Sequence, residues 1–258
     1  MDYYRFSATY VSRKNGKGRS AVAAASYQSR ERIHNEHEGR TYDYTKKGGF
    51  IHSEIYLPEN APPEFFDRGT LWNAVEKAES RSNARTAREI ILALPRARIL
   101  PILVSKELLT NYIIETFVSQ GMIADIAIHE GDHSDNPHAH ILLTTRDVGP
   151  DGFGAKNRDW DKRENIERWR EAWANAQNRE FMLRGLDARV AHKSYKRRNM
   201  DRKPTLHLGP ALSAMERRQI KTCKGDYNRT IEAKREEQER QNQMESELHQ
   251  SRGRERGR

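Results

Sequence analysis

The chain has 258 residues, 35% hydrophobic and 32% charged, a size and composition that favour one domain with an appendage over two full domains. Its 46 Lys and Arg residues against 37 Asp and Glu give a net charge of +9, which favours a polyanionic partner, most simply nucleic acid. The single cysteine excludes an internal disulfide, no apolar run approaches the roughly 20 residues of a membrane-spanning helix, and the N-terminus lacks the apolar region of a secretory signal. We therefore expect a cytoplasmic protein without membrane insertion.

The N-terminal part predicts a strand, a basic loop, a helix and a second loop. Aromatic or apolar residues at every second position predict a strand over 4–10. A Gly/Lys/Arg-rich loop over 12–19 follows, and Ser20 has a suitable side chain to cap an alanine-rich helix that runs towards Arg32. The polar stretch 34–50 predicts a long loop.

The next part predicts two strands separated by a helix. Residues 51–57 indicate a short strand that Pro58 closes. Thr70 is a candidate N-cap for a helix that extends to about Arg85. The apolar run over 88–94 predicts the second strand, which ends at a proline.

Two further helices and a charged tail are predicted beyond these strands. Apolar residues have helical spacing over 108–117, and Gly121 ends that helix. A strong helix carrying two tryptophans is predicted over 165–184. Residues 211–248 indicate a charged, largely helical tail, and the Gly/Arg-rich end over 251–258 predicts disorder.

The most informative pattern is a predicted hairpin that carries three histidines. His129 ends the apolar run 122–128, and the turn-rich segment 130–137 can fold the chain back into a strand that begins at His138. His138 and His140 are two residues apart, so they share one face of a strand. Three imidazoles without a fourth protein ligand leave coordination positions open, which suits catalysis on a divalent metal better than structural metal binding.

The alternation of residue types around these histidines predicts one sheet with two different faces. The histidine face carries small or polar side chains, whereas the opposite face is strongly apolar, as in a sheet with a site on one side and a core on the other. Irregularly alternating strands and helices with a hairpin are typical of an α+β fold built on an antiparallel sheet. We predict a domain over 1–210 and a tail over 211–258.

Tyr27, in the alanine-rich helix, is a candidate nucleophile. Small residues before it would let the helix lie close to the sheet and hold the phenol in place, while a phenol needs a base, a metal or a cation to favour its phenolate. The residues alone favour a packing or base-stacking role for Tyr27, and Tyr42 and Tyr44 are rival candidates for the nucleophile. Glu89, at the start of a predicted strand, could orient a metal-bound imidazole or act as a base, but the residues alone favour an exposed charge at a strand end.

Basic residues before and after Tyr27 could bind phosphates, with tyrosines stacking on the bases of single-stranded DNA. Many of these charges would also suit an ordinary solvated surface. The candidate DNA-binding residues are Lys14, Lys17, Arg19, Arg30, Arg32, Lys46 and Lys47.

Five ordered blocks then carry a specific resemblance. They are Ser20–Tyr27 (SAVAAASY), Tyr42–Tyr44 (YDY), Arg88–Pro95 (REIILALP), Asn136–Ile141 (NPHAHI) and Pro204–Pro210 (PTLHLGP). With these blocks, residues 3–218 of the chain resemble the MobA/MobL family of plasmid mobilisation relaxases, which belong to the HUH single-strand endonucleases. The resemblance implies an antiparallel sheet of about five strands, flanked by helices, with the histidines on the central strands.

The resemblance also implies roles for individual residues. Tyr27 matches the family's nucleophilic tyrosine, Glu89 its supporting acidic residue, and His129, His138 and His140 its metal ligands. His133 is a competing ligand, and His129 is preferred because it ends a strand whereas His133 lies in the loop. The metal implied is one divalent ion, with Mn or Mg in use.

The implied reaction is metal-dependent, strand-specific nicking of DNA at a plasmid origin of transfer. Tyr27 would form a 5′-phosphotyrosyl linkage that is later resealed, in the bacterial cytoplasm, on single-stranded and hairpin DNA. The resemblance suggests accessory relaxosome proteins and a coupling ATPase as partners. The helicase or primase regions of longer family members have no counterpart here, which implies a small mobilisable element or a truncated sequence.

Three alternatives remain open from the sequence. The first is a rolling-circle replication initiator, although a second tyrosine adjacent to Tyr27 would favour some of those and none is present. The second is a metal-dependent phosphoesterase that uses water and forms no adduct. The third is a basic DNA-binding protein whose histidines hold a structural metal and whose binding depends strongly on salt.

Overall fold

The computed structural model describes residues 4–14, 18–130, 136–200, 203–206 and 208–255. The strands are β1 (Phe6–Ser12), β2 (Arg32–Asn35), β3 (Arg40–Asp43), β4 (Phe50–Tyr56), β5 (Arg85–Ala93), β6 (Ala124–His129), β7 (His138–Leu143), β8 (Arg146–Gly149) and β9 (Gly152–Lys156). The helices are α1 (Ala21–Ser29), α2 (Arg68–Ala78), α3 (Ile102–Thr116), α4 (Arg163–Leu183), α5 (Gly209–Arg217) and α6 (Cys223–Glu255).

The centre of the fold is a five-stranded sheet in the order β1-β5-β7-β6-β4. Every neighbouring pair is antiparallel, and β6 and β7 form the hairpin in which His129 lies opposite His138. The predicted α+β class and antiparallel sheet are confirmed. Because β6 and β7 are inner strands, their side chains are shielded by neighbours on both sides, which allows polar groups to be held without solvent.

Helices cover both faces of this sheet, as the resemblance implies, and the histidine face carries a core of its own beside the site. On one face, α3 and α4 pack their apolar side chains, including Trp169 and Trp173, against Ile90, Ile126 and Ile141. On the histidine face, α1 and α2 form a second core with sheet residues. The small alanines of α1 permit this close packing, so the site occupies only the part of its face that the helices leave uncovered.

The prediction of a long loop over 34–50 is also wrong, since β2 and β3 form a hairpin there. Ile33 and Asn35 are buried on alternate positions of β2, a pattern too short and too polar to stand out in the sequence. The chain turns at Gly39, whose φ of +61° suits glycine. A second small hairpin, β8–β9, follows the central sheet.

Some helix ends differ from the predictions because the backbone conformation or the capping residue there is not the one expected. Ser20 caps α1 as predicted, with its hydroxyl accepting from the Ala23 amide at 3.3 Å. The helix ends at Ser29, before Arg32, because Arg30 adopts the left-handed conformation with φ of 60°. Asp67, not Thr70, caps α2, with its carboxylate accepting from the Thr70 amide at 2.7 Å, and α2 ends well before Arg85.

The chain divides into two compact units, residues 1–192 and 193–258. The first contains the sheet, its flanking helices and all the predicted site residues. The second contains α5 and the highly charged α6, which continues to Glu255, and residues 256–258 lie outside the described part. The functional boundary predicted after residue 210 stays a prediction. Within the described residues, no helix has the length and apolar character needed to cross a membrane.

Candidate active site

Three imidazoles converge at the end of the β6–β7 hairpin. The register places His129 opposite His138, and His140 lies two residues further along β7 on the same face. Their ring centroids are 4.9 to 5.7 Å apart, and one nitrogen from each lies within 4.8 Å of the others. This is the spacing that lets three nitrogens bind a single ion.

The hydrogen bonds of two of the three rings fit a metal site. His129 donates from Nε2 to the carbonyl of Gln28 at 2.7 Å, and His138 donates from Nδ1 to the carbonyl of Asn136 at 3.0 Å. A carbonyl only accepts, so these bonds fix both tautomers and leave the other nitrogen of each ring as a lone-pair donor. The Nδ1 of His140 is buried and has no partner among the described residues.

Burial keeps two of these imidazoles, His129 and His140, neutral. Removal from solvent, together with neighbouring histidines and cations, lowers the pKa of His129 to about 4 and that of His140 to about 3. A protonated imidazole cannot bind a metal, so both rings are in the ligand form at physiological pH.

Tyr27 lies in the last turn of α1, beside the histidines. Its ring centroid is 6.5 Å from that of His140, and Tyr44 packs against it edge-on at 5.3 Å. The ammonium of Lys47 and the guanidinium carbon of Arg30 lie 4.2 Å and 4.6 Å from the ring centroid. Burial raises the pKa of Tyr27, but hydrogen bonds and charge from Lys47 and Arg30 outweigh it and leave the pKa below its ordinary value.

Glu89 is buried on β5, on the same side of the sheet as the histidines. Arg19 binds both of its oxygens, at 2.6 and 2.9 Å, and the side-chain amide of Gln28 donates to it at 3.3 Å. Burial raises the pKa of Glu89, but the Arg19 contact and the nearby His140 hold it below its ordinary value. The carboxylate is therefore charged, and its described hydrogen bonds go to Arg19, Gln28 and Thr9 rather than to an imidazole.

The predicted DNA-binding cations occupy different environments. Arg30 and Lys47 cover Tyr27, whereas the Arg19 guanidinium is engaged with Glu89 although its side chain is 54% exposed. The remaining predicted cations are exposed and lie on the loops before α1 and around the β2–β3 hairpin: Lys14, Arg32 and Lys46. Lys17 and the competing ligand His133 lie outside the described residues.

Two residues next to the site were not anticipated from the sequence. Gln28 is buried and connects the site, since its carbonyl holds His129 while its side chain holds Glu89. Phe50, the first residue of β4, is 43% exposed with its ring centroid 6.4 Å from that of His129. Adjacency to Tyr27 was the only sequence signal for Gln28, and an aromatic residue after Gly48 and Gly49 was the only one for Phe50.

Together these groups provide three converging imidazoles, a phenol with a lowered pKa and surrounding cations. Such a set suits an attack by the phenol oxygen on a phosphate diester.

One family model matches most of the chain. Residues 19–218 match the model of the MobA/MobL family. The chain is 34% identical over 254 residues to the conjugal transfer protein TraA of Agrobacterium fabrum, covering 84% of this chain and 22% of that protein. It is 36% identical over 251 residues to the mobilization protein MobL of Acidithiobacillus ferridurans, covering 84% of this chain and 65% of that one.

A solved structure described as the molecular basis of vancomycin resistance transfer in Staphylococcus aureus is also similar, with a TM-score of 0.68 and 36% identity. The match covers 75% of this chain and all of that chain. The curated relatives are longer, and this chain spans 22% of the TraA protein and 65% of MobL. The family match covers far more than half of the chain and spans the helix of Tyr27 and the histidine hairpin, so the chain belongs to the MobA/MobL family.

Proposed function

We propose that this chain is a DNA relaxase that nicks one strand at a plasmid origin of transfer and later reseals it. The observation that carries the proposal is the placement of Tyr27 beside the three converging histidines, with Lys47 and Arg30 over its ring. Family membership, relatives named for conjugal transfer and mobilisation, and the net charge of +9 support the same activity.

In the proposed reaction, the oxygen of Tyr27 attacks phosphorus in the scissile diester. A bond forms between that oxygen and phosphorus, the bond from phosphorus to the 3′ oxygen breaks, and the proton lost from the phenol is balanced by one gained at the leaving 3′ oxygen. Lys47 and Arg30 favour the phenolate, which is the stronger nucleophile. The product retains one phosphodiester as a 5′-phosphotyrosyl linkage, so the reverse reaction can reseal the strand.

His129, His138 and His140 would hold one divalent ion, for which we propose Mn or Mg. When bound, such an ion supplies Lewis-acid polarisation of the scissile phosphate and neutralises charge that develops on its oxygens. The backbone carbonyls of Gln28 and Asn136 orient two of the three rings for that task.

Glu89 acts in this proposal as a positioning residue. Its charge offsets part of the lowering of the pKa of His140, and its bond to Gln28 restrains the segment that carries Tyr27. Arg19 neutralises Glu89 on the exposed side. We therefore propose that the main role of Arg19 is this ion pair. Only the exposed part of its side chain would contact DNA.

Single-stranded DNA at the transfer origin, with its hairpin, is the proposed substrate. Lys14, Arg32, Lys46 and Lys47 provide exposed cations, before α1 and around the β2–β3 hairpin, for its phosphates. Accessory relaxosome proteins and a coupling ATPase are proposed partners, and the bacterial cytoplasm is the proposed location.

The experiment is a search for a covalent adduct on a denaturing gel. The full chain is mixed with Mn²⁺ or Mg²⁺ and labelled single-stranded oligonucleotides from DNA flanking its own gene. We expect wild type to retain label in SDS and Tyr27→Phe to retain none, because phenylalanine lacks the attacking oxygen.

Tyr44→Phe is the matched control, since Tyr44 packs directly against Tyr27 and loses the same hydroxyl. It should keep the adduct, and DNA affinity should be nearly unchanged in Tyr27→Phe. An adduct that survives in Tyr27→Phe but disappears in Tyr44→Phe would move the nucleophile to Tyr44. Cleaved product without an adduct would instead support the phosphoesterase that uses water, and binding without cleavage at any metal would support a DNA-binding protein.

A further inference from the structure

A cavity of about 130 Å³ adjoins the histidine cluster on the β5 side of the sheet. It shares His138 and His140 with the cluster and is otherwise lined by Arg5, Ile91, Ala93 and Asn136. Tyr27, Arg30 and Lys47 do not line it. The proposed nucleophile and its neighbouring cations therefore lie in one part of the site, and this cavity lies in another part.

Arg5 gives the cavity an available positive charge. Its side chain is exposed, and no hydrogen bond or ion pair of that side chain is found among the described residues. By contrast, the Arg19 guanidinium is engaged with Glu89. The Arg5 guanidinium lies beside two proposed metal ligands and forms no ion pair among the described residues. It is therefore available to bind a phosphate.

The walls of the cavity are fixed by backbone hydrogen bonds. The carbonyl of Arg5 accepts from the amide of Ala93 at 3.0 Å, and the amide of Leu94 donates to the carbonyl of Pro137 at 2.9 Å. The carbonyl of Ala93 also accepts from the indole of Trp173 at 3.3 Å. These contacts join the start of β1, the end of β5 and the start of β7 into one preformed frame.

The geometry of phosphoryl transfer identifies what this cavity would take. The attacking and leaving oxygens lie roughly in line on opposite sides of phosphorus. If Tyr27 attacks from its own part of the site, the leaving 3′ oxygen and its nucleoside project away from Tyr27. The cavity adjoins the histidines, is not lined by Tyr27, and offers apolar surface from Ile91 and Ala93 with an amide from Asn136.

We infer that this cavity binds the deoxynucleotide that carries the leaving 3′-hydroxyl, with Arg5 binding the phosphate on the 5′ side of that nucleotide. The inference rests on the proposed nicking function. After the nick, the 3′-hydroxyl end of the cleaved strand would stay bound in this preformed cavity. It would then be in position for resealing.

The test measures binding without chemistry. Labelled oligonucleotides whose 3′-hydroxyl ends tile the DNA flanking the gene are titrated with full-length protein in EDTA, by fluorescence anisotropy. For the tightest strand, we expect Arg5→Ala to raise Kd about tenfold and to reduce the slope of log affinity against log salt by about 0.7, as for the loss of one single-strand phosphate contact. Arg5→Lys should lie between the two.

Arg179→Ala is the matched control, because Arg179 is an exposed arginine on α4, which packs on the opposite face of the sheet. It should keep the wild-type Kd, and Arg5→Ala should keep the wild-type melting temperature because the backbone bond to Ala93 is retained. Removing the terminal nucleotide from the strand should abolish the difference between Arg5→Ala and wild type.

An unchanged Kd in Arg5→Ala would overturn the inference, and so would an equal loss with the shortened strand, which would make Arg5 a general electrostatic contact. The outcome is separable from the proposed nicking function. If the Arg5 effect is confined to the terminal nucleotide but wild type forms no adduct, the nucleotide site stands and the nicking proposal fails.

Discussion

At the residue scale, each histidine of the cluster is restrained by a different kind of contact. Backbone carbonyls hold His129 and His138, whereas His140 is restrained by burial between β5 and β6 with one nitrogen unpaired. The carbonyl that holds His129 belongs to Gln28, the residue after Tyr27. The orientation of a proposed ligand and the position of the proposed nucleophile are therefore mechanically connected.

The low pKa values of these histidines predict a pH dependence of stability in the metal-free protein. In the folded state His129 and His140 have pKa values of about 4 and about 3, against 6.5 for an ordinary histidine. At pH values between these folded-state pKa values and 6.5, the unfolded chain binds more protons than the folded one. The free energy of unfolding therefore falls as the pH falls below 6.5. Each histidine should contribute up to about 1.4 kcal/mol per pH unit.

Urea unfolding in EDTA across this pH range measures the effect. Carboxylates titrate in the same range, so the informative quantity is the slope in His140→Gln relative to wild type. The slope should be shallower in His140→Gln and unchanged in His34→Gln, since His34 is exposed on β2. Identical slopes in all three proteins would contradict the assignment.

Metal content gives a second test at this scale. Replacing both His138 and His140 with Ala removes two of the three converging nitrogens, so we expect most bound Mn²⁺ to be lost on elemental analysis after dialysis. His34→Ala and His52→Ala together remove two histidines outside the cluster and should retain the metal. Full retention in the cluster variant would argue against a metal site there.

At the element scale, a buried ion pair connects α2 to the central sheet. The Arg68 guanidinium binds both oxygens of Asp125 at 2.9 Å, and the indole of Trp72 donates to the same carboxylate at 2.8 Å. Arg68 also contacts Glu31, which follows Arg30. This cluster therefore joins α2, β6 and the segment that leads from α1 into β2.

Removing Arg68 should destabilise the fold strongly. Arg68→Ala leaves the Asp125 carboxylate, which is 3% exposed, without its cation, so we expect the free energy of unfolding to fall by about 3 kcal/mol. Chemical denaturation near neutral pH measures this loss. Arg98→Ala removes an exposed arginine and should change little. A loss in Arg68→Ala no larger than in Arg98→Ala would show that the ion pair is not needed for stability.

At the scale of the whole molecule, every proposed site residue belongs to the unit 1–192, although the family model extends to residue 218. The domain prediction from the sequence instead places the functional boundary after residue 210. A chain ending at residue 192 should melt cooperatively because the sheet and its helices lie within it. A chain ending at residue 210 should also form the Tyr27 adduct.

Calorimetry and the adduct assay on the two truncated chains distinguish these boundaries. Equal adduct formation by both would place the functional boundary at residue 192 or before it. A different result is that the chain ending at residue 210 melts normally but forms no adduct, while the 258-residue chain is fully active. That result would assign a role to residues beyond 210.

The sequence by itself predicted the parts of this protein that depend on local periodicity. The alternation around His129 and His138 placed the histidines on one face of a hairpin, and the Ser20 cap and alanine-rich run placed Tyr27 on a helix. These predictions succeeded because strand faces and helix caps are set by residues only a few positions apart. The polar β2–β3 hairpin was missed because its period-two pattern is too short to distinguish from a loop.

The tertiary structure decided which distant groups meet. Arg19 and Glu89 are 70 residues apart, Gln28 and Glu89 are 61 apart, and Gln28 and His129 are 101 apart. Arg5 reaches the histidine cavity only because β1 and β7 flank β5 in the sheet. Such contacts depend on strand order and on how closely α1 packs against the sheet, and no local pattern of residues encodes either.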